Sequence, residues 1–140
     1  MLTGKYRVLL VDDDRSLLRL LSMRLVASGY AVTAVESAEA ALEHLDVLKP
    51  HLIITDLRMG GMDGMALFEH VHRDHPALPV LVLTAHGSEQ EASTALKRGV
   101  FSYMTKPFDS KKLLEQVARA LKAGGQKAVR CGDSAMVRSM

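Results

Sequence analysis

Five short apolar runs punctuate the chain, at residues 6–11, 30–35, 51–55, 80–84 and 100–104, and each is followed by a segment of helical spacing. The runs are rich in Val, Leu and Ile without clean alternation, which predicts strands buried on both faces. In the first intervening segment Leu17, Leu18, Leu20, Leu21 and Leu25 make a wide apolar face, closed by Gly29 as a C-terminal cap. Ala38, Ala41, Leu42 and Leu45 line the second helix, and Leu67, Phe68 and Val71 the third. Ser88 followed three residues later by Glu91 reads as a capping box for the fourth. Asp109 reads as the N-cap of the fifth, with Phe108 and Leu113 placed for a hydrophobic staple. Five alternating βα units predict a parallel sheet with right-handed crossovers and helices on both faces. Such sheets carry their sites outside the carboxyl ends of the strands.

After Leu121 the pattern changes. The stretch from Lys122 to Lys127 contains Gly124 and Gly125 and reads as a helix end followed by a flexible, basic connector. Residues 129–140 keep some helical character through Met136, Val137 and Met140, but hold too few apolar residues to fold alone. The expected organisation is one folded domain over residues 1–122, then a linker and the opening of a further domain over 123–140.

Composition changes this picture little. The 140 residues are 48% hydrophobic and 24% charged, the balance of a soluble globular domain. No apolar run approaches the roughly 20 residues that cross a bilayer, and the first residues lack a signal-peptide layout. One cysteine, Cys131, rules out an internal disulfide framework and suits a reducing cytosol. The net charge of +2 is misleading by itself. Through Leu121 there are 14 Lys and Arg against 15 Asp and Glu, whereas the remainder holds Lys122, Lys127, Arg130 and Arg138 against Asp133 alone. The body therefore carries no phosphate-backbone footprint, and three Tyr and three Phe with no Trp offer no base-stacking platform. Direct nucleic-acid binding by this segment is not expected.

The chemistry collects at the strand ends. The first run ends in Asp12, Asp13 and Asp14, the third in Asp56, the fourth in Thr84, and the fifth in Thr105, Lys106 and Pro107. Taken singly, Asp14 is a helix N-cap, Asp12 and Asp13 are solvated loop acids, and Thr84 and Lys106 mean little. Together they would crowd several carboxylates into a small space, and such crowding demands compensation. A hard divalent cation such as Mg²⁺ supplies it through oxygen ligands.

Four segments carry a family resemblance: Val8-Leu9-Leu10-Val11-Asp12-Asp13-Asp14; Leu52-Ile53-Ile54-Thr55-Asp56-Leu57-Arg58-Met59-Gly60-Gly61-Met62-Asp63-Gly64; Val82-Leu83-Thr84-Ala85-His86-Gly87; and Gly99-Val100-Phe101-Ser102-Tyr103-Met104-Thr105-Lys106-Pro107-Phe108. In order and spacing these resemble the receiver domains of two-component response regulators, over residues 7–121. The resemblance implies a doubly wound, flavodoxin-like α/β fold with strand order 2-1-3-4-5. It implies that Asp56 is the phosphoacceptor and that Asp13, Asp56 and the Arg58 backbone carbonyl hold Mg²⁺, with Asp12 acting through a bound water. Thr84 and Lys106 would contact the phosphoryl group, Tyr103 would be the switch aromatic, and the Lys106–Pro107 bond would be cis. Arg58 and His86 would flank the acyl phosphate and could tune water access. One departure stands out: Gly60 occupies a position where the family usually has proline, which leaves the loop less restrained.

The implied activity is phosphorelay signalling. A sensor histidine kinase supplies the phosphoryl group to this cytoplasmic domain, which catalyses its own modification and hydrolysis. The signal leaves through the face made by the fourth helix, fifth strand and fifth helix. Gly132-Asp133-Ser134-Ala135-Met136 resembles the opening of the ATPase domain in NtrC-type sigma-54-dependent activators, as the run Phe101 to Asp109 resembles their receivers. An ATPase and a DNA-binding module in cis are the implied outputs, and a homodimer is compatible with that group. The other readings are a stand-alone receiver that acts by docking, a phosphorylation-independent docking domain, and a flavodoxin-like cofactor module. The last conflicts with the acidic loop after the first strand, which has no phosphate-cradling glycine turn. The three histidines His70, His72 and His75 read as solvated, and Met59, Met62 and Met65 as packing residues.

Overall fold

The computed structural model describes residues 5–85 and 87–131, with side chains up to residue 123. His86 and the segment beginning at Gly132 lie outside the described residues.

The elements alternate without exception: β1 (Arg7–Val11), α1 (Arg15–Ala27), β2 (Ala31–Val35), α2 (Ala38–Leu48), β3 (Leu52–Thr55), α3 (Gly64–Asp74), β4 (Val80–Thr84), α4 (Glu89–Arg98), β5 (Ser102–Thr105) and α5 (Ser110–Cys131). The strands form one parallel sheet in the order β2-β1-β3-β4-β5. The three central strands are buried along almost their whole length and the two edge strands only partly, which is why the apolar runs show no alternation.

Two hydrophobic layers cover the sheet. Leu18, Leu21 and Leu25 of α1 join Leu113, Val117, Ala120 and Leu121 of α5 on one face. Ala38, Ala41 and Leu45 of α2, Leu67, Phe68 and Val71 of α3, and Ala95 of α4 pack on the other. The predicted apolar faces are the buried ones except at two margins: in α1 Leu20 is exposed and Leu17 half-buried, because only Leu18, Leu21 and Leu25 turn towards the sheet, and in α2 Leu42 is half-buried. The caps follow local chemistry. Asp14 Oδ1 accepts from the Leu17 N–H at 3.2 Å, and Ser37, Asp63 and Ser88 cap α2, α3 and α4 in the same way. Asp109 accepts from the N–H groups of Lys111 and Lys112, and Phe108 packs against the layer that contains Leu113. Gly29, at φ 97°, follows the cap residue Ser28 of α1.

Three expectations change. The Ser88–Glu91 box is only half made, because the Glu91 carboxylate pairs with Arg58 rather than turning back to its own helix end. The fifth strand begins at Ser102, not at residue 100. Gly99, at φ 121°, ends α4, and the Val100 N–H closes that helix end on the Ala95 carbonyl. The third concerns α5, which does not end near Lys122 but continues to Cys131. Glycine inside a helix costs about 1 kcal/mol relative to alanine without forbidding the helix, and no proline follows Pro107. Among the described residues no helix is long and apolar enough to cross a membrane.

Candidate functional site

The parallel register brings the carboxyl ends of β1, β3 and β4 to one edge. Asp12 follows β1, and its N–H donates to the Val35 carbonyl at 3.2 Å. Asp56 follows β3, and its N–H donates to the Val11 carbonyl at 3.0 Å. These two bonds tie both acids to the ends of neighbouring strands. Asp12, Asp13 and Asp56 each offer a carboxylate oxygen within 4.8 Å of the others, the one such acidic grouping among the described residues. Asp12 and Asp56 are buried, and Asp13 is exposed.

Lys106 reaches in from the loop after β5. Its Nζ lies 2.9 Å from Asp12 Oδ2 and 3.3 Å from Asp56 Oδ2, and only 17% of the side chain is exposed. The backbone aims it: the Lys106 N–H donates to the Thr84 carbonyl at 2.8 Å, and the following bond to Pro107 is cis. Burial pushes the Asp12 carboxyl above its ordinary value, against the lowering effect of its bonds to Lys106 and the Asp14 N–H. Burial alone would lower the Lys106 ammonium, but its bond to Asp12 and the charges of Asp12 and Asp56 raise it. One ammonium therefore faces two buried carboxylates and an exposed third, an all-oxygen donor set with charge left to neutralise. That set fits a hard divalent cation.

Asp56 is also held from its own loop. Oδ1 accepts from the Leu57 N–H at 2.6 Å and from the Arg58 N–H at 3.4 Å. The Thr55 hydroxyl donates to the Asp56 carbonyl at 2.8 Å. Thr84 is fully buried at the end of β4, one strand away. Arg58 sends its guanidinium away from the acids, to Glu91 Oε2 on α4 at 2.8 Å.

Tyr103 lies on the edge strand β5, paired with Val82 of β4. Its ring packs inward, against the layer of α2, α3 and α4, and its hydroxyl is buried without a partner among the described residues. The seat exists because residue 87 is glycine: a Cβ there would collide with the Tyr103 ring and hydroxyl. Burial and the nearby Glu91 carboxylate raise the Tyr103 phenol pKa.

Several contributors were not legible beforehand. Gly64, the first residue of α3, runs so close to the Asp56 backbone that a Cβ would overlap the Asp56 carbonyl oxygen. Glu39 of α2 accepts from the Met62 N–H at 3.0 Å, and Arg98 pairs with Glu69 to tie α4 to α3. Glycine and glutamate carry no distinctive signal in a single sequence, so only packing identifies these positions. Among the described residues, no group of three possible metal ligands includes His70, His72 or His75. His72 stacks on Phe68, and His75 ends α3 within 3.8 Å of the exposed Asp46. Met59, Met62 and Met65 pack against the core.

Comparison with known proteins agrees with this geometry. Residues 8–118 match the family described as the response regulator receiver domain. The transcriptional regulatory protein GlrR of Escherichia coli K12 is 47% identical over 114 residues, which are 81% of this chain and 26% of the relative. The DNA-binding transcriptional regulator NtrC of Klebsiella pneumoniae is 38% identical over 112 residues, 80% of this chain and 24% of the relative. The chain thus spans about a quarter of the length of the curated relatives it matches. Among solved structures, NtrX of Brucella abortus with ADP superposes with a TM-score of 0.86 at 28% identity, over 98% of this chain and 31% of that one. A CheY-like receiver protein of Methanospirillum hungatei gives a TM-score of 0.83 at 26% identity, over 89% of this chain and 99% of that one. With its fold, its strand-end acids and its lysine all in agreement, this chain belongs to the response regulator receiver domain family.

Proposed function

We propose that Asp56 accepts a phosphoryl group from a phosphohistidine on a sensor histidine kinase. The observation that carries the reading is the Lys106 ammonium shared between the buried carboxylates of Asp12 and Asp56. An Asp56 carboxylate oxygen forms the new P–O bond as the P–N bond to histidine breaks, and the leaving electron pair stays on the imidazole. Phosphoryl transfer depends on positioning and on neutralising the equatorial oxygens more than on proton chemistry. The N–H groups of Leu57 and Arg58 fix the Asp56 carboxylate, while Lys106 provides positive charge beside it. Thr84 would donate its hydroxyl to the phosphoryl group.

Asp13, Asp56 and the Arg58 carbonyl would hold Mg²⁺, with Asp12 acting through water. When bound, the ion supplies Lewis-acid neutralisation of phosphoryl oxygens. Hydrolysis returns the carboxylate, and Arg58 and His86 would tune access of water.

The output is read through α4, β5 and α5. The added charge biases the occupancy of the Tyr103 seat and the position of α4. The receiver would extend over residues 1–122, with the rest of α5 and the residues up to 140 leading towards an output domain. NtrC and GlrR are named as transcriptional regulators. An ATPase and DNA-binding output of that type, in a cytoplasmic regulator able to dimerise, is the corresponding proposal here. The test is incubation with a small acyl-phosphate donor and Mg²⁺. The parent should be labelled and Asp56→Asn should not; undiminished labelling of the variant overturns the assignment.

A further inference from the structure

The loop that follows Asp56 is closed at its base, where the Gly64 N–H donates to the Leu57 carbonyl at 2.8 Å. Arg58 is tied to Asp56 through its N–H and to Glu91 through its guanidinium. Beyond Arg58 the restraint falls away. Gly60 and Gly61 are adjacent, Gly61 lies at φ 79°, and a Cβ on Gly60 would meet nothing within 4 Å. Among the described residues, the hydrogen bond from the Met62 N–H to Glu39 Oε2 at 3.0 Å is the only one that reaches the backbone of residues 59–62. Gly61 passes the same carboxylate so closely that a Cβ there would lie 2.8 Å from Glu39 Oε2.

Glu39 is well placed to act as a fixed post. It is the second residue of α2, whose end is capped by Ser37 and whose Ala38 and Ala41 are buried in the core. The carboxylate thus projects from a helix end that cannot drift, while its partner lies in a segment with two glycines. Glycine-rich turns lose more conformational freedom on ordering than any other, so one anchoring bond decides how narrowly the turn is held.

We propose that Glu39 is a positioning residue for the phosphoacceptor loop: it holds the turn at residues 59–62 and, through it, the Arg58 carbonyl at the metal position. This rests on the Mg²⁺-assisted phosphoacceptor reading above. Glu39 is not among the groups proposed to hold the ion or the phosphoryl group. It supplies from a neighbouring helix the rigidity that Gly60 and Gly61 withhold.

The test follows Mg²⁺ titration of the full chain by amide NMR, together with hydrogen exchange of the Met62 amide without metal. Glu39→Ala should accelerate Met62 exchange and weaken Mg²⁺ binding about fivefold, the effect of one modest surface hydrogen bond. Glu39→Gln, which keeps an acceptor oxygen but no charge, should remain nearer the parent in both readouts. Gly60→Pro in the Glu39→Ala background should recover most of the affinity. Glu43→Ala removes the same charge from an exposed position on the same helix and should change neither readout. Equal losses in Glu39→Gln and Glu39→Ala, or in Glu43→Ala and Glu39→Ala, would mean charge alone and overturn the proposal. So would a Glu39→Ala chain that binds Mg²⁺ as the parent does. A parent that binds no Mg²⁺ would instead overturn the phosphoacceptor reading, and Met62 exchange would still report whether the post exists.

Discussion

Replacing Gly64 by alanine tests whether the acceptor is held by close packing of the α3 start. The backbone of Gly64 is not in the left-handed region, so alanine meets no conformational objection. The obstacle is space: a methyl group would lie 3.0 Å from the Leu57 Cα and the Asp56 carbonyl carbon, and well inside contact of the carbonyl oxygen. All three atoms are backbone, so no side chain can swing aside. Overpacking of this kind costs about 1–3 kcal/mol, and the better propensity of alanine, worth about 0.5–1 kcal/mol in a helix interior, returns only part of that at the first residue of α3. The net loss is about 1–2 kcal/mol, which lowers the melting temperature of a domain this size by roughly 4–8 °C. The larger effect is chemical. Relief must come from moving the chain that carries Asp56, and a displacement of about 1 Å is enough to cost on the order of a hundredfold in rate. Calorimetry and the rate of labelling by a small phosphodonor with Mg²⁺ read the two effects. A Gly64→Ala chain that melts within about 1 °C of the parent and labels at the parental rate would refute the reasoning.

Three other substitutions probe separate parts of the fold. Lys106→Met leaves two buried carboxylates without their cation; removing one partner of a buried pair costs about 3–5 kcal/mol, and partial exposure of Lys106 reduces this to about 2 kcal/mol at neutral pH. Because burial holds Asp12 above its ordinary value of 3.8, its contribution to stability is full below that value and lost as pH rises through the folded value, so urea titrations should show the defect shrinking on acidification. Tyr103→Phe removes a buried hydroxyl that has no partner among the described residues and should stabilise the domain by about 1 kcal/mol in urea; a loss of stability would mean the hydroxyl is bonded in solution. His51 Nδ1 accepts from the Arg7 N–H at 2.9 Å, and burial and the Arg7 charge lower its pKa below 6.5. That contribution is present above 6.5 and lost as pH falls through the folded value, and His51→Gln should remove this acid-side slope from the stability profile.

The βα rhythm and the apolar faces were readable because burial on both sides of a parallel sheet leaves uninterrupted Val, Leu and Ile in the chain. Asp12, Asp56 and Lys106 were readable because strand ends converge in this topology and because ionised groups in quantity need a reason. Gly64 and Gly87 were not, since the clash that demands glycine is with atoms that only the folded chain brings alongside, the Asp56–Leu57 backbone for one and the Tyr103 ring for the other. Glu91 looked like half of a capping box, and competition from the Arg58 guanidinium decided its partner instead. The end of α5 was misplaced because Gly124 and Gly125 were read as a terminator, whereas glycine within a helix costs only about 1 kcal/mol relative to alanine and does not end it.

The sheet has a further consequence as a septum. Val8 and Leu10 of β1 face the layer of α1 and α5, whereas Leu9 and Val11 face the layer of α2, α3 and α4. A rearrangement among the side chains of one layer therefore has a wall of backbone between it and the other. Tyr103 sits on one side of that wall and its neighbour Met104 on the other, both on the edge strand β5. A partner that binds across this rim would touch both compartments at once, whereas one bound in the middle of either layer would hear only its own.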